Sequence, residues 1–342
     1  MDESRRVYTL NLHGWDSTLK ALITGIAGQD GSYLSELLLS KGFDVYGLIR
    51  RNSTPEHQES RINHLEDQIQ LFYGDLTDFY SVATAIHKLQ PDVIFNLAAQ
   101  SHVRISFDIP SFTHEVNAKG AYNVFEATRL LSPSSRIYQA SSSEMFGTSI
   151  DSDGFQREST NMRPASPYGV AKLAAYHLGR TYRDSYGMFI SNGILFNHES
   201  PRRGSNFVTT KVIKGALEIK RGTETSLALG NLDSLRDWGH SRDYVEAMLA
   251  IMMHDKPEDF VVATGQSHSI KELCDIVFQT LSLDWRDFVT FDQRLLRPKE
   301  VPALRGDSSY IRQTLGWQPK TTFTQLIHEM MVFWANQMGV SL

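Results

Sequence analysis

Cysteine is almost missing from this sequence: Cys274 is the only one in 342 residues. That excludes an intrachain disulfide and any cysteine-rich zinc site, and it suits a reducing compartment. No apolar run approaches the ~20 residues that a helix needs to cross a bilayer, and the N-terminal stretch lacks the apolar core of a secretion signal. The expectation is a cytoplasmic protein with no membrane partner, in which the Asn52-Ser53-Thr54 sequon is a chance match. A surplus of positive charge is missing too. With a net charge of -5 and a pI near 6.2 there is no general basic face to neutralise phosphates, so no nucleic-acid partner is expected. The H-E-x-x-H pattern is absent, since His114-Glu115 and His198-Glu199 each lack the second histidine; a zinc hydrolase is disfavoured and no metal site is expected.

What is present is enough apolar composition, 41% against 21% charged, to bury a large core in one or two domains. Residues 1–19 show no clean period and are set apart as an N-terminal arm. From Ala21 onward apolar strands and amphipathic helices alternate: strands at 21–24, 44–49, 70–75, 93–97 and 136–140, with helices after 28, at 79–89 and at 116–131. That order predicts a doubly wound parallel α/β sheet, Rossmann-like, over residues 20–200. A smaller α/β lobe is expected over 201–342, with some of its segments returning to the first domain. The last helix carries Phe323, Leu326, Ile327, Met330, Met331 and Trp334 at spacings of three and four, which is a core stripe.

Ligands of such sheets sit beyond the carboxyl ends of the strands, so the residues that follow each strand carry the information. After the first strand comes Gly25-Ile26-Ala27-Gly28-Gln29-Asp30-Gly31, a glycine turn opening a helix. Glycines there let the backbone approach a pyrophosphate and aim the helix N-terminus at it. After the second strand, about 20 residues on, an NAD enzyme would carry an acidic residue. Here Arg50 and Arg51 stand instead, and two guanidinium groups suit a 2′-phosphate, so NADP is favoured over NAD; a solvated basic loop is the alternative. After the third strand, Asp75 is placed to accept from an adenine amino group and Leu76 to pack on its ring. After the fourth, Leu97-Ala98-Ala99-Gln100-Ser101 keeps side chains small where a cofactor would pass, although helix–strand packing explains small residues equally well.

The fifth strand ends in Ser141-Ser142-Ser143-Glu144, and Tyr168 and Lys172 stand at i, i+4 on the helix that begins at Ser166-Pro167. That spacing puts both on one face, where an ammonium can lower a phenol pKa from about 10 and make a base near neutrality. The order is glycine turn, serine-ended strand, then Y-x-x-x-K, and in this order the chain resembles the extended short-chain dehydrogenase/reductase superfamily. Closer marks are Asn192-Gly193-Ile194-Leu195-Phe196-Asn197-His198-Glu199-Ser200-Pro201-Arg202-Arg203-Gly204, Leu229-Gly230-Asn231-Leu232-Asp233 and Arg236-Asp237-Trp238-Gly239-His240, together with Gly28 to Leu34 and Pro257-Glu258-Asp259-Phe260. These look like the GDP-mannose 4,6-dehydratase family.

The resemblance implies an active site of Ser142, Glu144, Tyr168 and Lys172. Ser142 stands where threonine is usual, keeping the hydroxyl and losing its stiffening methyl. It implies an NADP shell that includes Arg50, Arg51, Ser53, Asp75, Leu76, Gln100, His198 and Arg203 beside the glycine turn, with Leu97, Ala99, Ser101 and Lys172 lining the way; Phe112 replaces a tyrosine usual in that shell. For the substrate, a GDP-sugar, it implies Ser101, Glu144, Asn197, Arg203, Lys211 and Arg236, with Arg297 and Glu300 reading guanine. In the implied chemistry Tyr168 takes the proton of the 4-hydroxyl as NADP takes the C4 hydride. Glu144 then removes the C5 proton and assists loss of the 6-hydroxyl, and hydride returns to C6. A homotetramer or homodimer is implied, with the loop from Arg50 to Pro55 reaching a neighbour's cofactor. A GDP-manno-heptose is an alternative substrate. Epimerase, decarboxylase or 4-ketoreductase activity on the same fold is an alternative reaction, and a redox-sensing NADP-binding regulator a non-enzymatic one.

Overall fold

The structure is a computed structural model and describes residues 18–51, 61–296 and 298–342. Most of the N-terminal arm, Ser53 and Arg297 lie outside the described residues. Six strands alternate with helices through the first half: Lys20–Thr24 (β1), Gln29–Ser40 (α1), Asp44–Ile49 (β2), Ile69–Tyr73 (β3), Phe79–Leu89 (α2), Val93–Asn96 (β4), Val103–Ser106 (α3), Pro110–His114 (α4), Gly120–Leu131 (α5), Arg136–Ser142 (β5), Pro167–Tyr186 (α6) and Ile190–Leu195 (β6). The second half supplies Asn197–Glu199 (β7), Val208–Arg221 (α7), Leu227–Leu229 (β8), Leu235–His240 (β9), Ser241–Met253 (α8), Asp259–Val262 (β10), Ser267–Ser269 (β11), Ile270–Thr280 (α9), Val289–Phe291 (β12), Ser309–Leu315 (α10) and Phe323–Met338 (α11).

The large sheet runs β10-β6-β5-β4-β1-β2-β3, with every neighbouring pair parallel. Its inner strands are buried on both faces, which is why Ala21-Leu22-Ile23, Val93-Ile94-Phe95 and Ile137-Tyr138 read as unbroken apolar runs. One face is covered by α1 and α8 through Leu34, Leu38, Tyr244 and Met248, the other by α2, α5 and α6 through Val82, Ile86, Val124 and Ala175. The chain winds one way through β2 and β3 and the other way from β4, so the sheet's switch point lies between β1 and β4. Past residue 200 the chain returns to this sheet three times: α8 packs on α1, β10 becomes its edge strand, and α10 packs on β10 through Ile311.

The remaining second-half elements enclose their own core, in which Val212, Leu217, Leu273, Phe278, Leu326 and Met330 interdigitate among α7, α9 and α11. Two differences from the sequence expectation concern the first half. β3 stops at Tyr73, because Asp75 Oδ1 accepts from both the amide and the hydroxyl of Thr77 and turns the chain there. The helix expected from 116 opens as a π turn over Glu115–Lys119 before α5 begins. Among the described residues no helix is long and apolar enough to cross a membrane.

Candidate active site

The glycine turn follows β1 at the switch point. Gly25 has φ +73°, and a Cβ there would lie 2.8 Å from Ala98 Cα, so the turn presses against the end of β4. A Cβ on Gly31 would lie 2.4 Å from Gly25 O. Gly28 caps α1 without any side-chain hydrogen bond, which leaves the first-turn amides and the positive helix end facing the cavity. A bare backbone cradle backed by a helix N-terminus fits the pyrophosphate of a dinucleotide.

Two side chains of this turn reach across the molecule. Gln29 Nε2 donates to His198 O at 3.1 Å and Gln29 Oε1 accepts from Ser200 Oγ at 2.9 Å. Asp30 faces His198 Nε2 at 2.8 Å and accepts from Ser241 Oγ at 3.0 Å. His198 Nδ1 faces the Phe196 carbonyl at 2.7 Å, and a carbonyl only accepts, so with a carboxylate on the other nitrogen the ring carries both hydrogens. Burial raises the Asp30 carboxyl, but the His198 charge and hydrogen bond override it and bring it down to about 2. For His198, burial works against the charged form and Asp30 outweighs it, so its pKa is raised. The result is a clasp between the glycine turn and β7, with the Tyr244 ring stacked 4.7 Å from His198.

The catalytic candidates meet beyond β5. Ser166 caps α6, its Oγ accepting the Gly169 amide at 3.0 Å, and Pro167 sits at the first helical position, so Tyr168 falls in the first turn and Lys172 one turn on. A Cβ on Gly169 would lie 2.7 Å from Glu144 O, and its absence lets the start of α6 lie against Glu144. Ser142 Oγ accepts the Glu144 amide at 3.2 Å, and its own hydrogen is left to donate. All four side chains are buried, between 4% and 8% exposed.

Here the electrostatics correct the sequence expectation. Burial pushes the Tyr168 phenol up to about 12; the Ser142 hydroxyl opposes this and Glu144 reinforces it. Lys172 does not offset it. Its ammonium donates to Ala140 O at 2.8 Å, lies 5.9 Å from the Tyr168 ring centre, and is itself brought down to about 8 by burial. The i, i+4 spacing shares a face, yet in this state desolvation outweighs the charge of the lysine.

These groups line one cleft of ≈ 540 Å³. Its walls include Gly25, Gly28, Gln29, Asp30 and Gly31; Leu97, Ala99 and Ser101; Ser142, Glu144, Tyr168 and Lys172; and Asn197, His198, Arg203, Arg236 and Glu300. Six expected residues stand elsewhere. Arg50 and Arg51 directly follow β2 and are exposed. Asp75 ties its own turn, and Leu76 is 5% exposed beneath Gly120, so it is a core residue rather than an open platform for a ring. Gln100 is turned away: its backbone pairs with the Asn117 amide, and its side-chain nitrogen donates to His102 O. Lys211 sits outside the wall because its ammonium donates to Ala228 O at 2.7 Å.

The cleft also contains residues that sequence reasoning passed over. His102, Phe207 and Trp238 are among them. Phe207 carries the Arg203 guanidinium 3.6 Å above its ring and has the His102 ring 5.2 Å away. Arg203 Nε lies 3.0 Å from Glu199 Oε2, a carboxylate 2% exposed, which also accepts from Thr209 Oγ1 at 2.6 Å. Strand alternation in Arg236-Asp237-Trp238 would have exposed the third: Arg236 and Trp238 line the cleft while Asp237 points away. Asp237, raised to about 6 by burial, accepts from Thr264, Gly265 and Gly306 and fixes β9 in place. Arg236 donates to Val301 O at 2.9 Å.

A family model described as GDP-mannose 4,6 dehydratase matches residues 22–330. GDP-mannose 4,6 dehydratase 2 of Arabidopsis thaliana is 49% identical over 324 residues, covering 91% of this chain and 85% of that protein. GDP-mannose 4,6 dehydratase of Homo sapiens is 43% identical over 338 residues, covering 91% and 90%. Among solved structures, DesIV, a dTDP-glucose 4,6-dehydratase of Streptomyces venezuelae with NAD and TYD bound, matches with a TM-score of 0.82 at 22% identity, over 94% of this chain and 98% of that one; this likeness concerns the fold. The parallel sheet, the cleft at its switch point and these matches agree, and the chain belongs to the GDP-mannose 4,6 dehydratase family.

Proposed function

We propose that this protein removes water from GDP-mannose to give the 4-keto-6-deoxy sugar, using a tightly held NADP. The observation that carries the reading is a buried carboxylate, Glu144, in the same cleft as Ser142, Tyr168 and the glycine turn. A simple 4-epimerase or reductase has use for the hydroxyl, the phenol and the lysine; a carboxylate beside them is what elimination across C5 and C6 requires. The names of the relatives supply the substrate, and Glu300 on the cleft wall suits the paired donors of guanine.

The cradle of Gly25, Gly28 and Gly31 would hold the dinucleotide, which would supply hydride exchange with C4 and C6 of the sugar. Tyr168 accepts the 4-hydroxyl proton, and Ser142 holds that oxygen through the hydrogen it has left to donate. A buried phenol at about 12 is a poor base, so positive charge brought in beside Tyr168 must lower it before the first step. Glu144 takes the C5 proton, made acidic by the neighbouring ketone, and protonates the departing 6-hydroxyl. Arg236 and Arg203 meet the pyrophosphate of the sugar nucleotide. Arg50 and Arg51, exposed at the end of β2, favour NADP over NAD. A homo-oligomer, in which the loop after Arg51 reaches a neighbouring cofactor, completes the proposal.

The test is one turnover with GDP-mannose deuterated at C4. Deuterium should appear at C6 of the same product molecule, the product should have lost water, and no added NADPH should be consumed. Deuterium lost to solvent, or a product that keeps its 6-hydroxyl, refutes the dehydratase cycle and promotes an epimerase or reductase. Sedimentation with and without NADP tests the assembly, for which a constant monomer is the refuting result.

A further inference from the structure

Beneath the cleft, a line of side-chain hydrogen bonds crosses the middle of the sheet. Thr24, last in β1, donates to Asn96 Oδ1 at 2.7 Å, and its hydroxyl accepts the Ala98 amide at 3.2 Å. Asn96 Nδ2 donates to Gln139 Oε1 at 2.8 Å, and Gln139 Nε2 donates to Ala140 O at 3.2 Å. That carbonyl is the one that holds the Lys172 ammonium. The direction of the line is forced at both ends. The Ala98 amide can only donate and the Ala140 carbonyl can only accept, so each amide between them has one possible orientation.

Thr24, Asn96, Gln139 and Lys172 are at most 4% exposed. Register accounts for their alignment: Thr24 lies opposite Asn96 and Asn96 opposite Gln139. Cohesion of the sheet does not call for them, since Ile23, Phe95 and Tyr138, one residue earlier on each strand, are buried and apolar. Buried amides are costly unless bonded, so a continuous bonded line ending on a carbonyl that holds a lysine of the cleft points to a role in that lysine's placement.

We propose that Gln139 is a positioning residue for Lys172: by sharing the Ala140 carbonyl it loosens the tether on the ammonium, and Thr24 and Asn96 tune that loosening from behind. A carbonyl divided between two donors binds each less firmly than it binds one alone, and donors linked head to tail polarise one another. The titratable and charged groups that share the cleft with Lys172 are Tyr168 on its own helix, Asp30 at the start of α1, Glu144 after β5, His198 on β7 and Arg203 beyond it. Burial disfavours the ammonium and outweighs the opposing charge of Asp30, so the Ala140 tether is a direct hold on the charged form.

The proposal depends on the dehydratase reading only for its activity arm. The primary readout needs no substrate: protein as purified, carrying ¹³C-labelled lysine, is titrated and the Lys172 ε-carbon followed, its signal assigned by its loss in Lys172→Arg. Gln139→Met keeps the length and removes the donor. The titration midpoint of Lys172 should rise by about one pH unit, because an undivided carbonyl favours the charged form. Thr24→Val should move it the same way by less, and the double variant by less than the sum. In the GDP-mannose assay, Gln139→Met should lower kcat about tenfold and leave KM unchanged, with the acidic limb of the profile moved to higher pH. An unmoved or lowered midpoint in folded Gln139→Met overturns the proposal, whatever happens to thermal stability. If that variant does not fold, Thr24→Val decides by the same criterion. A shifted midpoint in a protein whose native form does not dehydrate GDP-mannose leaves the positioning role standing and removes the dehydratase reading alone.

Discussion

The two sides of the cleft are built differently. On the sheet side backbone sets position: the ends of β1, β4 and β5 and the capped start of α6 deliver the glycine turn, Glu144 and Tyr168, all in place before a ligand arrives. On the far side, position depends on long cationic side chains that already hold protein acceptors. Arg236 donates to Val301 O and Arg203 lies against Glu199; Lys211, outside the wall, donates to Ala228 O. Apart from the Lys172 ammonium, which holds Ala140 O, the first side is preorganised, which is what charge developing in a transition state rewards. On the proposed function the second would trade a protein oxygen for a phosphate oxygen, which offsets part of the binding free energy and suits reversible capture.

Removing one group from each side should separate these roles. Tyr168→Phe takes only an oxygen from the preorganised side and should lower kcat by ~10²–10⁴-fold with little change in KM, as for a positioned base. Steady-state rates against GDP-mannose concentration check it, and a variant altered mainly in KM would place Tyr168 in binding. On the exchanging side, Arg236→Ala should raise KM by about 10–100-fold, the range expected for charged hydrogen bonds. Lys211→Ala should do much less, because the Lys211 ammonium lies outside the cleft wall. If Lys211→Ala proves the more damaging, that ammonium moves onto the ligand and the cleft shown here is an open form.

The sequence legibility of the two sides follows the same division. Strands buried on both faces, a glycine turn and a capped Tyr-x-x-x-Lys helix are local patterns, and local patterns survive folding; the cleft therefore gathers Gly25, Tyr168 and Lys172 from positions marked by the strand order, and Glu144 from a position marked by the family resemblance. Long side chains are less readable. Lys211 faces Ala228 because α7 packs beside β8, a tertiary fact without a trace in the helix's own period. The pairing of β7, β9 and β11 was hidden in the same way, since β7 and β11 are three residues long and have no alternation to read. The Tyr168 pKa failed for a third reason: spacing reports who the neighbour is and leaves out how dry the site becomes.

A smaller effect is expected at the end of β2. Replacing Arg50 and Arg51 together by alanine should weaken NADP by about tenfold and leave NAD nearly unchanged, since exposed guanidinium–phosphate contacts are partly screened. Equilibrium binding of both cofactors decides, and equal losses remove the preference for NADP from these residues.

A last effect, on stability rather than on binding or rate, tests the clasp that joins the two sides, Asp30 with His198. Asp30 lies at about 2 when folded, below the ordinary carboxylate value, so its contribution is complete above about pH 4 and fades as the pH falls towards 2. His198 is raised when folded, so its contribution is complete below about pH 6.5 and is lost as the pH climbs through the folded value. The clasp is therefore strongest between those limits and weakens on the alkaline side. Asp30→Asn keeps the shape and the Ser241 contact but cannot hold an imidazolium. It should cost about 1–3 kcal/mol of unfolding free energy at about pH 6, and the gap to the native protein should narrow by about pH 9. Urea denaturation at the two pH values measures both. A gap that stays constant or widens with pH would mean that the ring is neutral at about pH 6, with a single hydrogen placed on one side, and that the glycine turn and β7 are joined by an ordinary hydrogen bond.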